Sequence, residues 1–163
     1  MTDVFDIVKR SEVMSRIRGK GNKTTELALV AAFRQAGIKG WRRHVPCRVK
    51  GEPTRTSTLP GKSPVLVIKP DFVFRTQRIA VFVDGCFWHQ CPLHSKVPEG
   101  NRAFWEQKLR RNVERDADAN KALKAEAWTV IRIWEHDVRD PRRSPRAVAR
   151  VRRCWLAAAH AAG

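Results

Sequence analysis

The stretch "VDGCFWHQC" (83–91) sets an acid, Asp84, two cysteines, Cys86 and Cys91, a histidine, His89, and two adjacent aromatics, Phe87 and Trp88, within nine residues. Cys86, Cys91 and His94 follow C-x4-C-x2-H spacing. Thiolate and imidazole donors so close together are the ligand set of zinc, which takes four in a structural site. The fourth would come from elsewhere: His136, Cys47 and Cys154 are candidates, and His89 sits between the cysteines but is free to point away. Bound in this way, an ion would clamp residues 86–94 and whatever lies among them. The bland alternative is free buried cysteines beside surface histidines.

Two carboxylates suggest a second, harder centre. Asp71 opens the strand-like "DFVF" and Asp84 closes "RIAVFVD". With Arg75-Thr76-Gln77 as the turn of a hairpin, simple pairing places Asp71 opposite Asp84. Adjacent carboxylates repel unless a cation lies between them. Oxygen ligands at a strand end suit Mg²⁺, which can activate water and stabilise phosphoryl charge. Strand-end acids also often merely face solvent. The aromatics Phe87, Trp88 and Trp105 could belong to a core. On a basic, metal-braced chain they could also wedge between base pairs and unstack them, at about a few kcal/mol per step.

The elements that would position these groups are legible from periodicity. "SEVMSRIR" reads as a short helix. A firmer one runs from about Thr25 to Ala36, with Leu29, Val30, Phe33 and Ala36 on one face, Glu26 in its first turn and Gly37 as its stop. Residues 38–64 are rich in proline and glycine and read as a basic irregular loop. "VLVI", "DFVF", "RIAVFV" and "WTVIRIW" read as strands. A long helix spans about Asn101 to Ala125, with Trp105, Leu109, Val113, Ala117 and Leu123 on its apolar side. Ser144-Pro145 opens a last helix within 141–163. The order α-β-β-α-β-α predicts an α/β fold in one domain, 1–163, with a partly parallel, mixed sheet flanked by helices.

Composition narrows the partner. The chain of 163 residues has 33 Lys+Arg against 16 Asp+Glu and a formal charge of +17. That excess favours nucleic acid, with salt-dependent affinity, although arginine- and alanine-rich composition alone also yields basic surfaces. No apolar run approaches the roughly 20 residues of a spanning helix. The N-terminal stretch has no apolar signal core, so an intracellular, cytoplasmic protein with reduced cysteines is expected.

"KPDFVF", "AVFVDGCFWHQCPLH", "NRAFWEQKLRRNVERD" and "AWTVIRIWEH" resemble the very-short-patch-repair (Vsr) DNA mismatch endonucleases, in order, across roughly residues 8–140. The resemblance implies a restriction-endonuclease-like fold of PD-(D/E)XK type. It implies nicking of double-stranded DNA 5′ of the thymine in T:G mismatches, with catalytic Mg²⁺ and structural zinc. It implies a bacterial, nucleoid-associated monomer and a functional association with a cytosine-5 DNA methyltransferase. By position, Asp71 and the main-chain carbonyl of Val83 resemble the Mg²⁺ contacts, and His89 the catalytic histidine. Glu26 resembles an acid that orients His89 through water. Cys86, Cys91, His94 and His136 resemble the zinc ligands. Phe87, Trp88 and Trp105 resemble intercalating aromatics, and Lys108 and Asn112 DNA-contacting helix residues. Met14 belongs to a DNA-contacting segment, 1–23. Where the family pattern has histidine, this chain has Asp84, a potential second catalytic and Mg²⁺-binding acid. Two alternatives remain: a restriction or defence nuclease without mismatch preference, and a non-catalytic zinc-braced DNA binder.

Overall fold

A computed structural model of the chain describes residues 24–50 and 65–161. The expected helix at "SEVMSRIR" and Met14 lie outside them. Helix α1 is described over 24–35, and Gly37 ends it as expected, with a positive φ of 68°. The Gly37 N–H reaches Arg34 O at 3.1 Å and the Ile38 N–H reaches Phe33 O at 2.9 Å, a left-handed stop that satisfies the last carbonyls.

Residues 38–64 are not irregular throughout. Within them lie β1 (Trp41–Arg43) and β2 (Cys47–Lys50). Neither carries a long apolar run, because each is short and half covered. The remaining strands are β3 (Val65–Ile68), β4 (Phe72–Phe74), β5 (Ile79–Asp84) and β6 (Thr129–Trp134). The helices after α1 are α2 (Arg102–Ala125), the short α3 (Glu135–Arg139), and α4 (Ser144–Ala161), which starts at the foreseen Ser-Pro. The main sheet runs β1-β4-β5-β6, and β2 pairs only with β3. The α2 crossover makes β5 and β6 parallel, as the element order predicts, while β1, β4 and β5 are antiparallel. The mixed sheet flanked by helices is thus observed.

Strand alternation divides the side chains between two layers. Ile79, Val81, Val83, Ile131 and Ile133 join Leu29 and Phe33 of α1 and Val148 and Val151 of α4 in one buried cluster. Phe33 meets Phe72 edge-on, with centroids 5.1 Å apart, a favoured aromatic geometry. On the other face Val73 and Ala80 pack with Ala122 and Leu123 of α2 and with Cys47, Val49 and Ile68 of the small sheet. Even-numbered positions of β5 and β6 therefore look toward α2, and this places Asp84 and Arg132 there.

The β4–β5 register departs from expectation. Phe74 pairs with Ile79 and Phe72 with Val81, because a four-residue loop, 75–78, closes the turn. Arg78, at φ 49°, donates its N–H to Arg75 O at 3.2 Å. Asp71 consequently falls opposite Phe82, and Asp84 extends two residues beyond it.

A cavity-free surrounding at Gly37 leaves only the backbone cost of adding a Cβ. Gly37→Ala is expected to lower stability by about 1–2 kcal/mol, measured by urea denaturation.

Candidate active site and metal centres

Loop 85–94 folds tightly on itself. The His89 N–H donates to Gly85 O at 3.1 Å, the Cys91 N–H to Cys86 O at 2.9 Å and the Ser95 N–H to Cys91 O at 2.9 Å. These turns bring Cys86, Cys91 and His94 to His136 of α3, with all ligand atoms within 4.8 Å of one another. Sulfur-to-Nδ1 separations are 3.1 and 3.9 Å from Cys86 and 3.6 and 3.6 Å from Cys91. A tetrahedral ion with the usual zinc bond lengths would set them about 3.6 Å apart. The donor set therefore fits one soft or borderline divalent ion. Cys47 and Cys154 are not part of it: each packs against a hydrophobic cluster. The outer contacts are also in place. His136 Nε2 lies 3.2 Å from Asp137 Oδ1, and the Cys86 N–H donates to Glu135 Oε1 at 3.0 Å. Partners of this kind orient metal ligands. Burial, with the neighbouring Cys91 adding to it, pushes the Cys86 thiol up to about 11. Metal binding would therefore displace a proton from it.

A second group joins Glu26 of α1, His44 of the β1–β2 turn and Asp71, ligand atoms again within 4.8 Å. Asp71 Oδ2 accepts the Val83 N–H at 2.6 Å. Glu26 is buried, ion-paired to Arg43, with His44 Nε2 at 2.9 Å. His44 holds a left-handed backbone, φ 53°, and donates its N–H to Asp71 O at 3.2 Å. Sequence reasoning missed His44; an unglycinated turn after a basic strand was its only signal. Burial, reinforced by Glu26 and Asp84, pushes the Asp71 carboxyl up to about 6 against the relief from the Val83 N–H and His44. A buried carboxylate so disfavoured, facing a second acid and an imidazole, is a fitting seat for a divalent cation.

Asp84 is not paired with Asp71. Its two oxygens are taken by Arg132, from Nε at 2.6 Å and Nη2 at 2.7 Å. The expected acidic pair is thus corrected by the register and by a buried guanidinium that already neutralises Asp84. The direct partners of Glu26 are Arg43 and His44. The partner of His89 Nδ1 is Asp116 of α2, in a very short contact, with Asp84 Oδ1 at 3.8 Å. Asp116 is partly buried, which raises its pKa, but His89 and Arg132 together hold it below the usual carboxylate value.

Lys108, Asn112, Asp116 and Asn120 recur every four residues and form one polar ridge of α2. Lys108 lies over the rings of Phe104, Trp88 and Trp105 at 5.4–5.7 Å. Asn112 Nδ2 donates to Trp88 O at 3.2 Å, and Arg132 Nη1 to Asn120 Oδ1 at 3.1 Å. That four-residue rhythm was the sequence signal for Asp116 and Asn120. Val113 and Ala117, expected on the apolar side, are exposed instead. Phe87 stands edge-on to Trp88 and to Trp105, with centroids 5.0 and 5.4 Å apart. Trp105 is buried beneath as their support, whereas Phe87 and Trp88 remain half-exposed.

Two clusters that could hold metal ions, a histidine–carboxylate pair and an aromatic ledge on a chain of charge +17 fit a metal-dependent protein that acts on nucleic acid. The family model described as DNA mismatch endonuclease Vsr matches residues 60–94. The type II nicking enzyme V.NmeDIP of Neisseria meningitidis is 36% identical over 80% of this chain and 76% of its own length. V.NaeI of Lentzea aerocolonigenes is 53% identical over 43% of this chain and 42% of its own. The DNA mismatch endonuclease Vsr of Escherichia coli is 40% identical over 48% and 47%. The chain belongs to the Vsr family of DNA endonucleases. Among the described residues no helix is long and apolar enough to cross a membrane.

A raised carboxyl pKa means that the folded state binds the Asp71 proton more tightly than the unfolded state does. Stability relative to a neutral side chain is intact below about pH 4 and is lost as pH rises through about 6. Metal-free Asp71→Asn should therefore be more stable than wild type at pH 8, by about 1–3 kcal/mol, and no more stable at pH 4, by thermal or urea denaturation. Equal stability at both pH values would contradict this account of Asp71.

Proposed function

We propose that this chain is a Mg²⁺-dependent endonuclease that nicks duplex DNA 5′ of the thymine in T:G mismatches. The observation that carries this reading is one short loop: the half-exposed Phe87 and Trp88 immediately precede His89, whose ring is locked by Asp116. Wedging into a weakened base step and acting on the adjacent backbone would thus be performed by consecutive residues. A mismatched step costs less to open than a paired one, which gives the wedge its selectivity.

In this reading Asp71, with Glu26, His44 and the Val83 carbonyl near it, holds Mg²⁺. The bound ion supplies positive charge to the phosphoryl oxygens. Asp116 keeps the Nδ1 proton of His89 in place, so that Nε2 can take a proton from the attacking water. Asp84 acts through Arg132, not as a ligand. Glu26 serves Asp71 and His44 in place of His89. Cys86, Cys91, His94 and His136 would hold zinc, which would fix the wedge loop. Lys108 and Asn112 brace the ledge from α2, Trp105 supports it from below, and Met14 belongs to the DNA-contacting segment. The PD-(D/E)XK likeness, a monomeric state, a bacterial cytoplasm and an associated cytosine-5 methyltransferase complete the reading.

A second reading is a nicking enzyme of a restriction system without mismatch preference, favoured by relatives named type II nicking enzymes. A strand-resolved cutting assay with Mg²⁺ separates the two. Cutting of T:G substrates at least 10²-fold faster than of matched duplexes is expected, with His89→Ala and Asp71→Asn each losing 10² or more of the rate, on the order of one acid–base group's contribution. Equal cutting of matched DNA would select the second reading; no cutting of any duplex would remove both.

Removal of zinc by a chelator, followed by readdition of Mg²⁺, should loosen the ledge. Tryptophan fluorescence should shift and T:G discrimination should fall before the helical circular dichroism is lost. Retention of full discrimination by zinc-free protein would contradict the clamp.

A further inference from the structure

Arg143, Arg146 and Arg150 stand at i, i+3 and i+7 about the start of α4 and so share one face of it. With Ile133, Asp137 and Ala147 they line a cavity of about 410 Å³ beside the end of β6. Two of the three guanidiniums have structural partners. Arg143 lies 3.5 Å from Asp137 Oδ1 and 3.5 Å from Asp140 Oδ2. Arg150 donates to the main-chain carbonyl of Arg132, on the open side of the edge strand β6. Arg146 has no side-chain hydrogen bond or ion pair among the described residues.

Helix stability does not account for this arrangement. The first turn of α4 has no acidic residue. Cations there face the positive end of the helix dipole, which costs about 0.3–1 kcal/mol each where anions would gain it. Packing does not account for it either, since only Ile133 and Ala147 contribute apolar surface. Three guanidiniums against two carboxylates, Asp137 and Asp140, leave one positive charge in excess, and Arg146 is the guanidinium with neither a carboxylate nor a carbonyl partner among the described residues. Planar, always-charged forks of this kind suit a phosphate oxyanion.

The location suggests whose phosphate it is. Ile133 pairs with Val83, whose N–H holds Asp71, and neighbouring strands lie about 4.8 Å apart. The cavity therefore lies at the same end of the sheet as the proposed cutting centre. Its lining residue Ile133 faces the α1–α4 layer, not the layer of α2 and the aromatic ledge. A duplex gripped by the ledge on one side would have its backbone held on the other. We propose that Arg146, flanked by Arg143 and Arg150, clamps a backbone phosphate of the bound duplex. The proposal rests on the DNA-binding part of the function above. Free inorganic phosphate shares the chemistry and is the competing source.

The test compares the full chain with Arg146→Gln and with Arg152→Gln, a charge-matched change at an exposed position of α4 outside the cavity. Duplex affinity is measured without added Mg²⁺ as a function of salt. One lost phosphate contact lowers the slope of log K against log salt by about 0.9. Arg146→Gln is expected to show that loss, with affinity down several-fold. Arg152→Gln is expected to keep the wild-type slope. An unchanged slope for Arg146→Gln overturns the clamp, even if inorganic phosphate titrates the Arg146 side chain in an NMR spectrum. Equal slope losses in both variants also overturn it, as bulk charge alone. A wild type that binds with the expected slope difference but cuts no duplex supports the clamp and refutes the nuclease reading.

Discussion

Arg132 sends its guanidinium to the place where β5, β6 and α2 converge. It grips both oxygens of Asp84, lies 3.1 Å from Asp116 Oδ1, reaches Asn120 and covers the Phe82 ring at 4.8 Å. One cation thereby joins two strands and a helix. Asp84 is buried and the guanidinium half-buried, so removing either would leave the other's charge poorly compensated. With both carboxylates and Asn120 in place every guanidinium nitrogen has a partner, and Asp116 keeps an oxygen for His89. The orientation of the proposed proton acceptor therefore depends on a salt-bridge network one layer behind it. The same network explains how Asp84 can occupy this position without joining the Asp71 centre.

The parts of the molecule legible in the sequence are those where one periodicity holds over many residues. The β5–α2–β6 crossover, the stop at Gly37 and the start at Ser144 follow from local rules, and the observed bounds of α2 differ from the expected ones by one residue at the start. The cysteine–histidine cluster was legible because three of its ligands lie within nine residues. Spacing alone left its fourth open and the family resemblance pointed to His136, which α3 brings to Cys86 while the core takes Cys47. The strands in 38–64 were obscured because Trp41 and Val49 derive their burial from β4 and α2, not from neighbours in sequence. The Asp71–Asp84 pairing failed for a different reason: the conformation of one residue, Arg78, lengthens the turn and moves the register, and a register determines every partner along the strands.

The polar face of α2 carries much of the candidate site: Lys108 and Asn112 were expected there as DNA contacts, whereas Asp116 and Asn120 were not singled out. Lys108, Asn112, Asp116 and Asn120 are polar, and polar residues on a long helix of a basic chain suggest solvent. Their spacing of four carries the information, since it aligns them in one row facing the 84–89 loop. The apolar pattern of α2 is weak in its middle for the same reason: Leu109 and Leu123 are fully buried, and between them the helix lies against a polar network.

A wedge must be stiffer than the stack it opens. Unstacking costs about a few kcal/mol per base step, and a loop that could relax would yield before the DNA did. The segment carrying Phe87 and Trp88 lies between the two cysteines of the candidate metal cluster and is restrained internally by backbone hydrogen bonds, from below by Trp105, and laterally by Lys108 and Asn112. His89 follows on the same backbone and is held by Asp116. Any displacement of the ledge is therefore transmitted to the histidine across a single peptide bond. In the proposed function, recognition by unstacking and chemistry at the phosphate would be joined mechanically through this loop. In that proposal selectivity for a weakened step would arise from rigidity: only a step that opens at low cost would let the ledge enter without moving His89 off its line.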